Sequence, residues 1–203
     1  MIKSEVLTVC AVISRPASVK QNSKGESFVS FGVTLPINGR DGVSRELEIS
    51  VTADGKKKDA VLLTKGKRVD IIGSLSIRKK EGKTYFNLRA DGGVEITKSS
   101  EPDKLEGEML FTGKIGPKGV ITKDDKKGHP FQLFSAFSTD KDGERAEFIW
   151  VHFLNFSPVE GDFMTAGKYV DVKGDLQFGV FKEDISIECR VKEVKEAIFV
   201  NKQ

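Results

Sequence analysis

Three flat side chains alternate along one stretch in the second half of the chain, at Phe148, Trp150 and His152. The residues that alternate with them are apolar: Ile149, Val151 and Phe153. Successive side chains of a strand point to opposite faces, so burial of the apolar set would leave three rings on the outside. Unpaired nucleic-acid bases stack on such rings, and each stack contributes about 1–3 kcal/mol. We therefore predict a stacking platform at these positions.

The same stretch has two other interpretations. If the two halves of the chain are aligned at a strict offset of 101 residues, Trp150 falls where Ile49 lies, inside a core. Alternatively, the exposed rings contact another protein chain, because large apolar surface patches mark interaction sites.

Three more rings are candidates for stacking. Tyr85 begins a strand directly after a basic hairpin tip. Phe28 and its counterpart Phe131 each begin a strand. Three residues after Phe28, Phe31 belongs to the inward-facing set. The alternation therefore favours the outer face for Phe28 and Phe131.

A groove for single-stranded nucleic acid also needs cations for the backbone. The first half of the chain concentrates them in predicted loops and hairpin tips, where acids are scarce. We expect these loops to converge on one groove, although basic loop residues also occur merely as solvated charges. The candidates are Lys20, Lys24, Arg40, Arg45, Arg78, Lys79, Lys80 and Lys83.

The elements that must position these residues occur twice. Residues 66–75 return as residues 167–176 with six of ten positions identical, 101 residues later. A repeat of that length in 203 residues predicts two domains. We place the first at 1–98, a linker at 99–106 and the second at 107–203.

Alternating apolar residues predict five strands in the first copy, at 6–15, 28–35, 47–51, 66–75 and 84–96. Residues 54–65 predict a loop with a short helix, Pro16 is expected to end the first strand, and Gly73 to mark a bulge or bend. The second copy repeats this order. Five antiparallel strands with an insert after the third fit an all-β fold of two tandem Greek-key barrels of the OB type.

The two copies differ in their surfaces. Residues 1–104 hold 19 Lys and Arg against 13 Asp and Glu, whereas residues 105–203 hold 14 against 17. Phenylalanine is distributed the other way, 3 against 11. The first copy is therefore basic and the second acidic and rich in rings.

Composition narrows the class of protein. A charged fraction of 31% and a hydrophobic fraction of 38% are typical of a soluble globular chain. Cys10 and Cys189 are too few for a zinc cage, and we expect reduced thiols in a cytoplasmic protein. No nucleophile motif, phosphate loop or metal-ligand spacing occurs, so we expect no enzyme activity, no metal and no cofactor.

In the segment 60–75, the basic tip that follows it and Tyr85, the chain resembles the bacterial single-stranded DNA-binding proteins. Two barrels in one chain resemble the tandem variant of that family, in which two chains supply four barrels, or its phage-encoded relatives. The resemblance implies single-stranded DNA as the partner, a homodimer, and the cytoplasm, or the host cytoplasm for a phage protein. The family's acidic C-terminal tail is absent from residues 193–203.

We therefore expect binding of single-stranded DNA without strong sequence preference, in replication, recombination or repair. The main alternative is a protein-interaction or oligomerisation scaffold, to which the ring-rich second copy gives weight. A binder of structured RNA is a third interpretation.

Overall fold

The computed structural model describes residues 2–39, 42–98, 100–142 and 145–198, and most of them lie in strands. The first copy contains β1 (Ile2–Gln21), β2 (Ser27–Asn38), β3 (Ser44–Asp54), α1 (Lys57–Leu62), β4 (Arg68–Lys80) and β5 (Lys83–Thr97). The second contains β6 (Lys104–Asp124), β7 (Pro130–Asp142), β8 (Arg145–Asn155), β9 (Tyr169–Phe181) and β10 (Asp184–Glu196).

Each set of five strands closes on itself. β1 pairs with β2 and with β4, β3 pairs with β2 and, in parallel, with β5, and β4 pairs with β5. The strands β6 to β10 repeat this ring, including the parallel pair of β8 and β10. The predicted pair of five-stranded OB-type barrels is therefore confirmed as the fold class.

Inward-facing alternate residues fill each barrel. In the first, Phe31, Ile49 and Ile71 have no exposed surface. In the second, Phe153 stacks on Phe134 with ring centroids 4.8 Å apart. The tight packing of these apolar side chains holds the strands in register and so fixes which residues face outward.

Pro16 does not end the first strand, so this expectation is wrong. β1 continues to Gln21, and its pairing with β2 skips from Arg15 to Ser18. A bulge at this point needs no N–H from the proline, which removes the reason to stop the strand. In β6 the ladder with β7 shifts in the same way between Ile115 and Val120.

The repeated glycines bend their strands, as predicted. A Cβ at Gly73 would lie 2.0 Å from the carbonyl oxygen of Arg89, and one at Gly174 would lie 2.2 Å from that of Arg190. The ladder between β4 and β5 shifts register beside Gly73. Only glycine permits this close approach of two backbones.

The two barrels share one sheet. The first half of β1 pairs with β4 on one edge and with β6 on the other, whereas its second half pairs with β2. The β1–β6 ladder is antiparallel and runs from Lys3 opposite Leu110 to Cys10 opposite Lys104. Ten strands thus form a continuous sheet, and the two copies are related by an approximate two-fold axis through the ladder.

Two properties of the described residues bear on function. None of their helices is long and apolar enough to cross a membrane. Within the same ranges, no group of three or more His, Cys, Asp and Glu side chains could hold a metal ion.

Both cysteines are buried as free thiols. Burial raises the pKa of the Cys189 thiol to about 12. Burial and, to a smaller extent, a hydrogen bond with Asp70 raise the pKa of the Cys10 thiol. Because the thiolate is the reactive form, we expect neither thiol to react with a disulfide reagent at pH 8 in the folded protein. In denaturant both should react within seconds. Stoichiometric reaction without denaturant would contradict this packing.

Candidate nucleic-acid interface

The outward orientation predicted for the platform rings is confirmed. Ile149, Val151 and Phe153 are at most 2% exposed, whereas Phe148 and Trp150 are 47% and 42% exposed. The strict 101-residue alignment is wrong in this strand.

The strand pairing shows the true register. Val51 pairs with Leu88, and Phe153 pairs with Cys189, which is the repeat of Leu88. The offset between β3 and β8 is therefore 102 residues, and Trp150 corresponds to the exposed Glu48.

Neighbouring side chains of β7 support the rings of β8. Phe137 lies against Trp150 with centroids 4.9 Å apart, and it meets Phe148 edge-on at 5.1 Å. The Nδ1 atom of His152 and the Oγ atom of Ser135 are 2.8 Å apart, within hydrogen-bond distance. The three predicted rings thus form one supported platform.

A close approach to the backbone fixes the indole of Trp150. A Cβ at Gly116 of β6 would lie 2.8 Å from Trp150 Cζ3 and 3.1 Å from the carbonyl oxygen of Ser135. The ring therefore occupies the space that a side chain at position 116 would need.

A second pair of rings extends the platform. Phe156 is 49% exposed, six residues beyond Trp150 on the same alternation. Its ring lies 6.0 Å from that of the half-buried Phe131, and the guanidinium of Arg190 lies 5.0 Å from its centroid. At about 3.3 Å per residue, the two clusters are separated by roughly 20 Å along the sheet.

The platform forms one wall of a cleft of about 950 Å³ between the two barrels. The β4–β5 tip of the first copy crosses to this wall. Lys79 Nζ donates a hydrogen bond to the carbonyl oxygen of Phe148 at 3.4 Å, and the Gly82 N–H donates to Glu147 Oε1 at 3.2 Å. Lys83 and the half-exposed Tyr85 also line the cleft.

The β9–β10 tip of the second copy crosses in the opposite direction. Arg45 Nε donates to the carbonyl oxygen of Glu183 at 2.9 Å, and Phe178 meets Phe86 edge-on at 5.4 Å. Each copy thus places its tip on the third strand of the other copy. The cleft consists of two half-sites that the approximate two-fold axis relates.

The half-sites differ in chemistry. We call the first the aromatic half-site, with Lys79, Lys83, Tyr85, Phe148, Trp150 and His152. We call the second the acidic half-site; its lining has three carboxylates, Glu46, Glu48 and Asp184, beside Arg15, Phe181 and Lys182. The rings of His152 and Phe181 lie 6.3 Å apart where the two meet.

Several predicted residues lie elsewhere. Lys20 and Phe28 face each other across the β1–β2 hairpin, and Lys24 lies in its turn; none of the three lines the cleft. The expected convergence of all basic loops on one groove is therefore wrong for this hairpin.

The remaining predicted cations have different surroundings. Arg45 joins the barrels through Glu183. Arg78 and Lys80 are exposed on the β4–β5 tip but do not line the cleft, because residues that alternate with Lys79 point to the other face. Arg40 lies outside the described residues.

This two-barrel architecture matches that of solved structures. The wild-type single-stranded DNA-binding protein from Thermus aquaticus matches with a TM-score of 0.50 and 13% identity, over 99% of this chain and 96% of that one. A deletion mutant of that protein matches with 0.50 and 14% identity, over 99% and 98%. This chain shares the fold of the Thermus protein. No protein-family model and no curated protein matches the sequence.

Four residues of this OB-fold interface were not among the predicted site residues. Phe181, which is 62% exposed, and Lys182 lie on the tip of the second copy, and Phe137 and Phe156 support or extend the platform. The alternation of β7 and β8 contained the signal for Phe137 and Phe156. The position of Phe181 depends on contact between the barrels, which no local pattern reports.

The packing of the Trp150 indole against Gly116 can be tested directly, because Trp150 is the chain's single tryptophan. In Gly116→Ala, the new methyl group should push the indole towards solvent, because a 2.8 Å contact forces one partner to move. We expect its fluorescence to shift to longer wavelength without loss of the fold. Thr122→Ala, on the exposed part of the same strand, is the control. Identical spectra for both variants would contradict the close packing.

Proposed function

We propose that this protein binds single-stranded DNA in the cleft between its barrels, without strong sequence preference. The observation that carries the proposal is the aromatic half-site, where Lys79 and Lys83 of one copy meet Phe148 and Trp150 of the other. Cations beside flat exposed rings are the combination that unpaired strands need.

The rings supply the contacts to the bases. Every base has a flat face, so stacking on Trp150, Phe148 or Tyr85 is independent of sequence. Phe156, with Arg190 over its ring, continues the same path along β8. The strand thus follows the outer face of the second barrel away from the cleft.

The cations supply the contacts to the backbone. Among the described residues, Lys79 and Lys83 line the aromatic half-site, where the strand lies. If each neutralises one phosphate, log K falls by about 0.7 per contact on single strands, which gives a slope of roughly −1.4 against log salt. A titration of fluorescent oligo-dT at several salt concentrations measures this slope. A flat slope, or no binding at low salt, would refute the proposal.

The biological role that fits such binding is protection of exposed strands in replication, recombination or repair. The structural similarity to the single-stranded DNA-binding protein from Thermus aquaticus supports the binding of single strands on which this role depends. We propose a binding protein without enzyme activity.

A second copy of the chain is the further partner that we propose. Val6 of β1 is 66% exposed and shares a depression of about 310 Å³ with Leu110 of β6, on the sheet that joins the barrels. An apolar surface there is consistent with a homodimer that forms through this sheet, away from the cleft.

Trp150→Ala tests the role of the platform. We expect the affinity for oligo-dT to fall about 5- to 150-fold, since one lost stack is worth about 1–3 kcal/mol. Tyr169→Ala is the matched control, because Tyr169 is a similarly exposed ring that does not line the cleft. Anisotropy of a labelled oligonucleotide gives the affinity.

Light scattering on the same samples gives the oligomeric state and so separates the alternatives. Unchanged mass with lost affinity favours stacking. Dissociation of an assembly with unchanged affinity would favour the protein-interaction scaffold instead.

A further inference from the structure

We propose that the acidic half-site makes the cleft select single-stranded over double-stranded DNA, with Glu46 and Glu48 as the specificity-determining residues. This inference rests on the proposed function, since it concerns the strand that the aromatic half-site binds. It adds a reason for the second strand of a duplex to be rejected.

In the strand register, these two carboxylates take the positions that the platform rings take in the other copy. With the 102-residue offset between β3 and β8, Glu46 and Glu48 occupy the positions that Phe148 and Trp150 occupy in the other copy. Both glutamates are exposed. The same scaffold position therefore carries a stacking ring on one side of the cleft and a negative charge on the other.

The negative charge of this wall is not cancelled by ion pairs. Neither Glu46 nor Glu48 forms a salt bridge with any residue in the described part of the chain. Two cations line the same side of the cleft. Arg15 directs its Nη2 atom to Ser50 Oγ at 3.3 Å and to the carbonyl oxygen of Phe31 at 3.5 Å, within its own barrel, and Lys182 Nζ lies over the ring of Phe181, 5.7 Å from its centroid. Asp184 adds a third carboxylate from the crossing tip.

The wall is also held in place. The hydrogen bond from Arg45 to the Glu183 carbonyl and the edge-on pair of Phe86 and Phe178 fix the hairpin of the second copy against β3 and β5. The carboxylates therefore remain on the cleft wall and cannot separate from the aromatic half-site without breaking the contact between the barrels.

Single-stranded and double-stranded DNA contact this cleft differently. A single strand can place its phosphates along Lys79 and Lys83 and its bases on the rings, so its charge stays away from the acids. A duplex keeps its bases paired and carries a second phosphate backbone into the cleft, towards Glu46 and Glu48. Repulsion between these charges acts within the screening length of about 8 Å at physiological salt.

The test compares wild type with the double variant Glu46→Gln, Glu48→Gln. The probes are a mixed-sequence 20-nucleotide strand and the corresponding 20-base-pair duplex, and affinities come from anisotropy at low and high salt. We expect the ratio of single-strand to duplex affinity to fall about fivefold at low salt, because duplex binding gains most when repulsion is removed. In about 1 M salt, where the screening length is roughly 3 Å, the difference should disappear.

Glu95→Gln, Glu196→Gln is the matched control, because it makes the same change of net charge at exposed positions that do not line the cleft. An equal fall in the control would show a general charge effect and overturn the inference. An unchanged ratio in the cleft variant, with normal binding of the single strand, would overturn the inference alone. Failure of wild type to bind the single strand at low salt would overturn the proposed function and this inference with it.

Discussion

The backbone ladder between β1 and β6 is the constraint on which the interface depends. Because β1 is long enough to pair with β6 through its first half and to close its own barrel through its second, the two barrels are fixed edge to edge in one sheet. Only in this arrangement does each hairpin tip reach the third strand of the other copy. The cleft is thus a product of strand length and pairing, and side-chain hydrogen bonds from Lys79 and Arg45 across it add to the contact between the barrels.

The scaffold is nearly symmetric, while the chemistry of its surface is not. Inward positions keep the same character in both copies, as Ile49 and Val151 do, because a packed core tolerates few changes. Outward positions carry no such constraint, and there Glu48 of the first copy corresponds to Trp150 of the second. The basic tip belongs to the first copy and the platform to the second, so the proposed binding surface needs both copies. It occupies only one of the two half-sites.

The sequence predicted what depends on local periodicity. The barrels, the bend at Gly73 and the outward face of Trp150 all follow from alternation and from the repeat. What failed depends on contacts between distant parts of the chain: Pro16 lies in a bulge, the register of β8 is shifted by one residue, and Arg45 serves the contact between barrels. The cleft itself was not predictable, since the antiparallel pairing of β1 with β6 leaves no signature in either strand.

Photo-crosslinking can show whether one strand contacts both copies. A single oligo-dT carrying one photoreactive thymine at a time is bound to the full chain and irradiated, and the attached peptides are identified by mass spectrometry. We expect crosslinks to Tyr85 or its neighbours on the β4–β5 tip of the first copy and, from adjacent positions of the same oligonucleotide, to Phe148 and Trp150 of the second. Crosslinks confined to one barrel, or centred on Lys20 and Phe28 at the far hairpin, would contradict it.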